Sequence, residues 1–316
     1  SWIAYGGPAI VISTAFTNLI RGEGAAQSSM KGMMAGTVAN IVLDPIFILD
    51  SFWGIPCLGL GVAGAAIATV IGNLVSILFF FIHVCKKTSI LTLSPKYFAV
   101  RNGIMRGVLL IGLPASITNI LMSLSNILMN KFLVTYGDVA VAGMGIAMKA
   151  NMLVIFVQLG IAAGIQPLVG YNFGARNYKR MKGVMKFSVL CNIIFGIFLT
   201  TLYFIFTREI VRIFIQEEAV VEMSAKMLRA LMFSSPLLGI LFVLNFSFQA
   251  MGKAKQSLAL AVSRQGFVFV PCTIILNALI GLEGLILSQP IADIVSIFIA
   301  FTMFLFMNRE FKKMES

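Results

Sequence analysis

The sequence predicts an all-α polytopic membrane protein: two homologous helix bundles related by a parallel repeat, with nine of an expected twelve transmembrane helices present. Three observations predict it. First, the 316 residues are 59% hydrophobic and only 11% charged, against roughly 25% charged in an ordinary soluble domain. Second, apolar runs of about 20 residues recur along nearly the whole length, each enough to cross a ~30 Å hydrocarbon core. Third, segments of one half reappear in the other. The alternating segments of about ten residues that mark a membrane β-barrel are absent.

Taken in order, the expected spans are 2–20, 31–50, 60–84, 105–134, 139–168, 183–207, 226–250, 257–280 and 283–307. The first is closed by Arg21. The second carries Asn40, Asp44 and Pro45 inside MMAGTVANIVLDPIFIL, and the third opens on GVAGAAIATVIG. The fourth holds a polar stripe, and the fifth holds Gln158 and Gln166. Pro114, Pro167, Pro236, Pro271 and Pro290 lie in or near spans, where each removes a helical hydrogen bond and permits a bend.

Basic residues sort into alternate connections. Arg21 and Lys31; Lys86, Lys87, Lys96, Arg101 and Arg106; Arg176, Lys179, Arg180, Lys182 and Lys186; Lys253, Lys255 and Arg264; and Arg309, Lys312 and Lys313 mark one side. The positive-inside rule makes that side, and the C-terminus, cytoplasmic. The opposite connection carrying Arg208, Arg212, Lys226 and Arg229 also carries Glu209, Glu217, Glu218 and Glu222. The net charge of +12 is therefore a topology signal and not a nucleic-acid footprint. Cys57, Cys85, Cys191 and Cys272 lie far apart without metal-ligand spacing, and three fall in or beside apolar helices as small hydrophobes. His83 closes an apolar run and reads as a solvated interfacial side chain.

The repeat organises the chain. GGPAIVISTAFTNLIRGEGAAQSS (6–29) aligns with SSPLLGILFVLNFSFQAMGKAKQS (234–257) at an offset of 228, matching Pro8 to Pro236, Gly24 to Gly252 and Ala26 to Ala254. GVAGAAIATVIGNLVSI (61–77) aligns with GLEGLILSQPIADIVSI (281–297) at an offset of 220, so the loop after Asp50 is about eight residues longer than its counterpart. Residues 105 to about 225 have no partner in the first half, which implies that about three helices are missing from the front. The expected domains are 1–84 as the rest of the first lobe, 85–104 as a cytoplasmic linker, 105–308 as a six-helix second lobe, and 309–316 as a cytoplasmic tail.

Polar side chains inside spans are functional candidates because the bilayer makes them expensive. Ser116, Asn119, Ser123, Asn126 and Asn130 recur at steps of 3 and 4 on one helical face, either as the wall of a wet substrate cavity or as hydrogen-bonding glue between helices. Gln289, Asp293 and Ser296 form a second stripe, aligned with Thr69, Asn73 and Ser76. Gln158 and Gln166 could face the same space or pack as glue. Asn40 stands one turn before Asp44, and Pro45 cannot bond back to the Ile41 carbonyl. A carboxylate, an amide oxygen and a free carbonyl suit Na⁺ or a shared proton. The alternative is a helix-terminal Asp near the outer interface, since Asp50 and a loop follow. At the 228 offset Cys272 meets Asp44 and Val268 meets Asn40, so the pair belongs to one lobe.

RGEGAAQSSMKGMMAGTVANIVLDPIFIL followed by GLGVAGAAIATVIG, then GLPASITNI, GIQPLVGYNFGARNYKR and FQAMGKAKQS, resembles the multidrug and toxic compound extrusion (MATE) transporters over nearly all 316 residues. The resemblance implies an inner-membrane antiporter that expels organic, often cationic, compounds while Na⁺ or H⁺ enters. It also implies a first-lobe cation site in which Asn40 and Asp44 match the family's Asn-x-x-x-Asp pair and Thr69 a threonine on the next helix. The family's further Asp on a first helix lies outside this chain. Acids that some relatives carry on two second-lobe helices have no counterpart in 105–134 or 226–250. No cofactor beyond the coupling ion is expected, and the expected partners are small organic cations and membrane lipids, with the chain acting as a monomer. A flippase for lipid-linked or polysaccharide cargo is the alternative. It would want intramembrane Arg or Lys for phosphate, and Lys149 is the main candidate. No His/Asp/Glu cluster supports an enzyme.

Overall fold

The computed structural model describes residues 2–52, 55–86, 89–92, 94, 96 and 103–315. Half of the expected linker 85–104, including Lys87 and Arg101, lies outside the described residues, as do the side chains of Pro114, Lys312 and Lys313. The chain divides into two compact units, 1–100 and 101–316. Among the described residues, seven helices are long and apolar enough to cross a membrane. Large apolar side chains such as Phe187, Phe198 and Phe298 point outward from them, as lipid contact requires of a multi-pass membrane protein.

The first unit is built from α1 (Trp2–Gly22), α2 (Ala26–Ile48) and α3 (Gly61–Val84). The long loop after Asp50 contains a two-residue antiparallel ribbon, β1 (Ser51–Phe52) with β2 (Ile55–Pro56). Helices α2 and α3 cross where side chains are smallest. A Cβ added at Gly36 would lie 2.5 Å from the Gly72 carbonyl oxygen and closer still to Ser76 Oγ, and one added at Gly32 would enter the Phe80 ring. Small residues let backbones approach in a bilayer, where water exclusion does not drive helices together. Ile20, Phe80 and Val84 form the buried cluster at one end.

The second unit comprises α4 (Ile104–Val134), α5 (Asp138–Gly164), α6 (Gln166–Gly174), α7 (Tyr178–Ile205), α8 (Thr207–Arg212), α9 (Glu218–Ala250), α10 (Ala254–Val262) and α11 (Phe269–Glu315). Helix α9 is its buried centre, and α4 has the most exposed flank. Asp138, Glu209 and Glu218 begin their helices where negative charge suits the helix dipole. Asn177 caps α7 by accepting from Arg180 N at 3.1 Å. Arg208 pairs with Glu222 at 2.9 Å, Arg212 with Glu218 at 3.1 Å, and Lys226 with Glu283, so the mixed-charge connection is largely self-paired.

Two expectations are corrected. The break between spans 257–280 and 283–307 falls where it is expected: α11 is two helical segments that meet at the non-helical Ile280 and Gly281, and the second runs on to Glu315. Residues 207–212 form α8, and α9 begins at Glu218, eight residues before the expected span, because a charged stretch of two helical turns precedes the apolar one. Arg264 does not belong to a basic connection. It lies on a π-helical turn, Ser263–Val268, between α10 and α11.

The repeat has a physical counterpart. Gly24 and Gly252 both turn through positive φ, 90° and 69°, and so do Gly61 and Gly281, at 53° and 61°. Ser29 donates to the Thr17 carbonyl at 3.0 Å, and the equivalent Ser257 donates to Asn245 at 2.6 Å. Gly64 is closed against the Phe47 carbonyl and Gly284 against the Leu276 carbonyl. This last pair needs an offset of 229 rather than 228 between Phe47 and Leu276, one residue more, which is what a π-helical turn inserts.

Candidate ion-coupling and polar-cavity site

Asn40 and Asp44 face the same way on α2, and Asn40 Nδ2 donates to Asp44 Oδ1 at 3.2 Å. Both side chains are half-buried. Pro45 lies within α2, which continues to Ile48. Asn40 also lines a cavity of about 250 Å³ within the first unit, bounded further by Ser13, Thr14 and Thr17 of α1, Gly36 and Thr37 of α2, and Thr69, Asn73 and Ser76 of α3. Asp44 is tied to that cavity through Asn40. Thr69 Oγ1 donates to the Ala65 carbonyl and keeps its lone pairs, while Asn73 Nδ2 donates to the Thr69 carbonyl. Gly36 and Gly72 line the cavity and let α2 and α3 approach closely beside it.

The chemistry this allows is specific. Amide and hydroxyl groups of Asn40, Asn73, Thr37 and Thr69 line the cavity, and the Asp44 carboxylate stands behind Asn40, joined to it by the Nδ2 hydrogen bond. That donor set fits Na⁺ or a protonated carboxyl equally well. Sequence reasoning picked Asn40, Asp44 and Thr69, and passed over Ser13, Thr14 and Thr17. Their signal was there: three hydroxyls at helical spacing on an otherwise apolar α1.

In the second unit the expected residues do not form one wall. Ser116, Asn119, Ser123 and Asn130 are exposed along α4 and Asn126 is half-buried. Asn119 Nδ2 donates to the Ala115 carbonyl and Ser123 Oγ to the Asn119 carbonyl, both within the helix. Ser125, off that face, is buried and donates to the Gln265 carbonyl at 3.0 Å, holding α4 to the π-helical turn. Gln158 is fully buried and donates to the Ser235 carbonyl at 2.8 Å, so it packs α5 against α9 and does not face open space. Gln166 begins α6 and is half-buried.

Asp293 is 1% exposed and accepts three hydrogen bonds. Arg264 Nε reaches Oδ1 at 2.7 Å, Gln289 Nε2 the same oxygen at 2.9 Å, and Ser234 Oγ reaches Oδ2 at 3.0 Å. The Arg264 guanidinium lies over the Phe242 ring, 5.7 Å from its centroid. An acid expected to line a substrate cavity is therefore the buried partner of an arginine that sequence reading assigned to a loop. Lys149, by contrast, is exposed.

A third cluster was missed. Glu23, in the turn between α1 and α2, receives His83 Nε2 at 2.7 Å and Ser89 Oγ at 2.8 Å. His83 is mostly buried rather than solvated, because Glu23 gives it a partner. Burial pushes the Glu23 carboxyl upward, and the bonds from His83 and Ser89 outweigh that and hold it below the ordinary glutamate value.

Residues 114–277 match the family profile described as MatE. Over 91% of its length the chain is 32% identical to the Multidrug export protein MepA of Staphylococcus saprophyticus, and over 90% it is 33% identical to the Multidrug export protein MepA of Staphylococcus aureus strain N315. The chain spans 62% and 61% of those relatives. Its fold superposes on a crystal structure of MATE in the bent conformation with a TM-score of 0.88 at 26% identity, covering 99% of this chain and 68% of that one. An outward-facing multidrug resistance MATE transporter of the MOP superfamily gives 0.86 at 26% identity, over 96% and 67% of the respective chains.

Proposed function

The chain belongs to the MATE family of membrane transporters, and from that premise we propose that it exports organic cations in exchange for H⁺ or Na⁺ by alternating access. The observation that carries this reading is the Asn40–Asp44 bond beside a cavity of hydroxyl and amide groups. The name of its relatives, Multidrug export protein, supports the substrate class. The coupling ion would sit at Asp44, with Asn40 and Thr69 supplying neutral oxygens. Exchange follows if the ion stabilises one conformation and the substrate favours the state that releases it, since coupling is a difference in affinity between states. The distribution of Lys and Arg supports a cytoplasmic C-terminus, and the family resemblance supports an inner-membrane setting.

A flippase for lipid-linked or polysaccharide cargo would need free intramembrane cations for phosphate. Arg264 is engaged by Asp293, which leaves Lys149, exposed on α5, as the one candidate for that role among the described residues. Proteoliposomes carrying the product of the complete gene should move ethidium against its gradient when an H⁺ or Na⁺ gradient is imposed, and should leave a fluorescent phospholipid in its original leaflet. Gradient-independent lipid movement without ethidium transport would replace the exporter with the flippase.

A further inference from the structure

The cavity of the first unit has a counterpart in the second, and that counterpart is filled. At the repeat offsets Thr14 corresponds to Phe242, Gly36 to Arg264, Thr69 to Gln289 and Asn73 to Asp293. All four first-unit residues line the cavity of about 250 Å³. In the second unit the same four stations meet around one ion pair, Arg264 with Asp293. Arg264 projects from the station where Gly36 has no side chain and lies over Phe242. It bonds to Asp293, which Gln289 and Ser234 hold in place. The correspondence is carried by backbone geometry as well as by sequence, through the matched left-handed glycines and the matched Ser29 and Ser257 bonds that precede these stations.

An aromatic floor, an anchored carboxylate and a hydrogen-bonding amide are the parts of a site for a flat organic cation. We propose that the second unit contains such a site, selective for cations of the guanidinium type, and that Arg264 is its tethered resident ligand. The side chain is long enough to leave, and its 16% exposure against 2% for Asp293 shows that the occupant, not the acid, faces the way out. Only Nε is bonded to Asp293, so the contact is a single hydrogen bond rather than a two-pronged clamp. A free cation of matching shape can therefore replace Arg264 without rebuilding the walls. The two units would then carry one cavity open by glycine and one closed by arginine, from a common plan.

The test uses the purified full-length protein in detergent, with methylguanidinium as probe and KCl at the same concentration as the ionic-strength control. Arg264→Ala should melt lower than wild type and regain about 2–4 °C in millimolar methylguanidinium but not in KCl. Wild type, with the site occupied, should not respond, and Arg264→Ala combined with Asp293→Asn should not respond either. The proposal is overturned if methylguanidinium leaves Arg264→Ala unmoved, if KCl acts equally, or if the double variant responds as strongly. Should Arg264→Ala fail to accumulate, solubilisation with methylguanidinium becomes the readout. A threefold or larger recovery of monodisperse protein supports the site, and no recovery overturns it.

Discussion

Arg264 stands in the second unit at the helical station that Gly36 holds in the first, and its Nε lies 2.7 Å from Asp293, the equivalent of Asn73. One unit thus packs two helices through glycine contact where the other joins them through a buried ion pair. Each arrangement has its own measurable consequence.

Removing one partner of the pair should cost more than removing both. Asp293→Leu alone leaves the Arg264 guanidinium without its carboxylate, a loss of about 3–5 kcal/mol. Arg264→Met with Asp293→Leu leaves no charge behind and should lie well above the sum of the two single effects. A double-mutant cycle in chemical denaturation reads the difference, and additive losses would mean the pair is not coupled.

At the glycine crossing, Gly36→Ala should lower the melting temperature, because the new methyl meets the Gly72 carbonyl and Ser76. Overpacking of this kind costs about 1–3 kcal/mol. Gly7→Ala, which lies inside α1 and meets nothing within 4 Å, is the control and should not lower the melting temperature. Thermal unfolding of the two variants side by side decides the point.

Asp44→Asn should abolish efflux of ethidium from cells, by at least tenfold, while membrane abundance stays at the wild-type level. Asn40→Ala should have a smaller effect in the same direction, since it removes one hydrogen bond to the carboxylate and leaves the charge. Unchanged efflux in Asp44→Asn would remove Asp44 from coupling.

The Glu23 contact predicts a pH dependence whose sign is fixed. Its carboxyl is held below the ordinary value of 4.5, so the stabilisation is present above that value and is lost as pH falls through the lowered one. Wild type should therefore lose melting temperature between about pH 4.5 and lower values. Glu23→Gln should lose less over the same range, having no carboxylate to protonate. Parallel curves for the two proteins would show that other groups govern the acid limb.

Hydropathy made the spans legible, and matching glycines made the repeat legible, because both are written in residue type at fixed spacing. The Asn40–Asp44 pair was legible for the same reason, being four residues apart on one helix. The Arg264–Asp293 pair was not, since its members are 29 residues apart and an arginine near a span's end looks like a topology marker. His83 was misread for want of Glu23, which lies 60 residues away and declares nothing about its position in sequence. Gln158 and the α4 stripe share a residue chemistry but not a fate: one is packed and the other exposed, and polarity alone cannot separate the two.

The π-helical turn at Ser263–Val268 carries a lesson about descent. One residue inserted into a helix rotates everything beyond it by about 100°. From that turn onward, the second copy of the span aims different side chains at its neighbours than the first copy does, even where the letters still align. Beyond it the register moves by one, so Thr273 rather than Cys272 stands opposite Asp44, and neither is an acid. The second copy therefore differs from the first in both letter and direction: no acid stands opposite Asp44 in either register, and the added residue aims whatever does stand there at other neighbours.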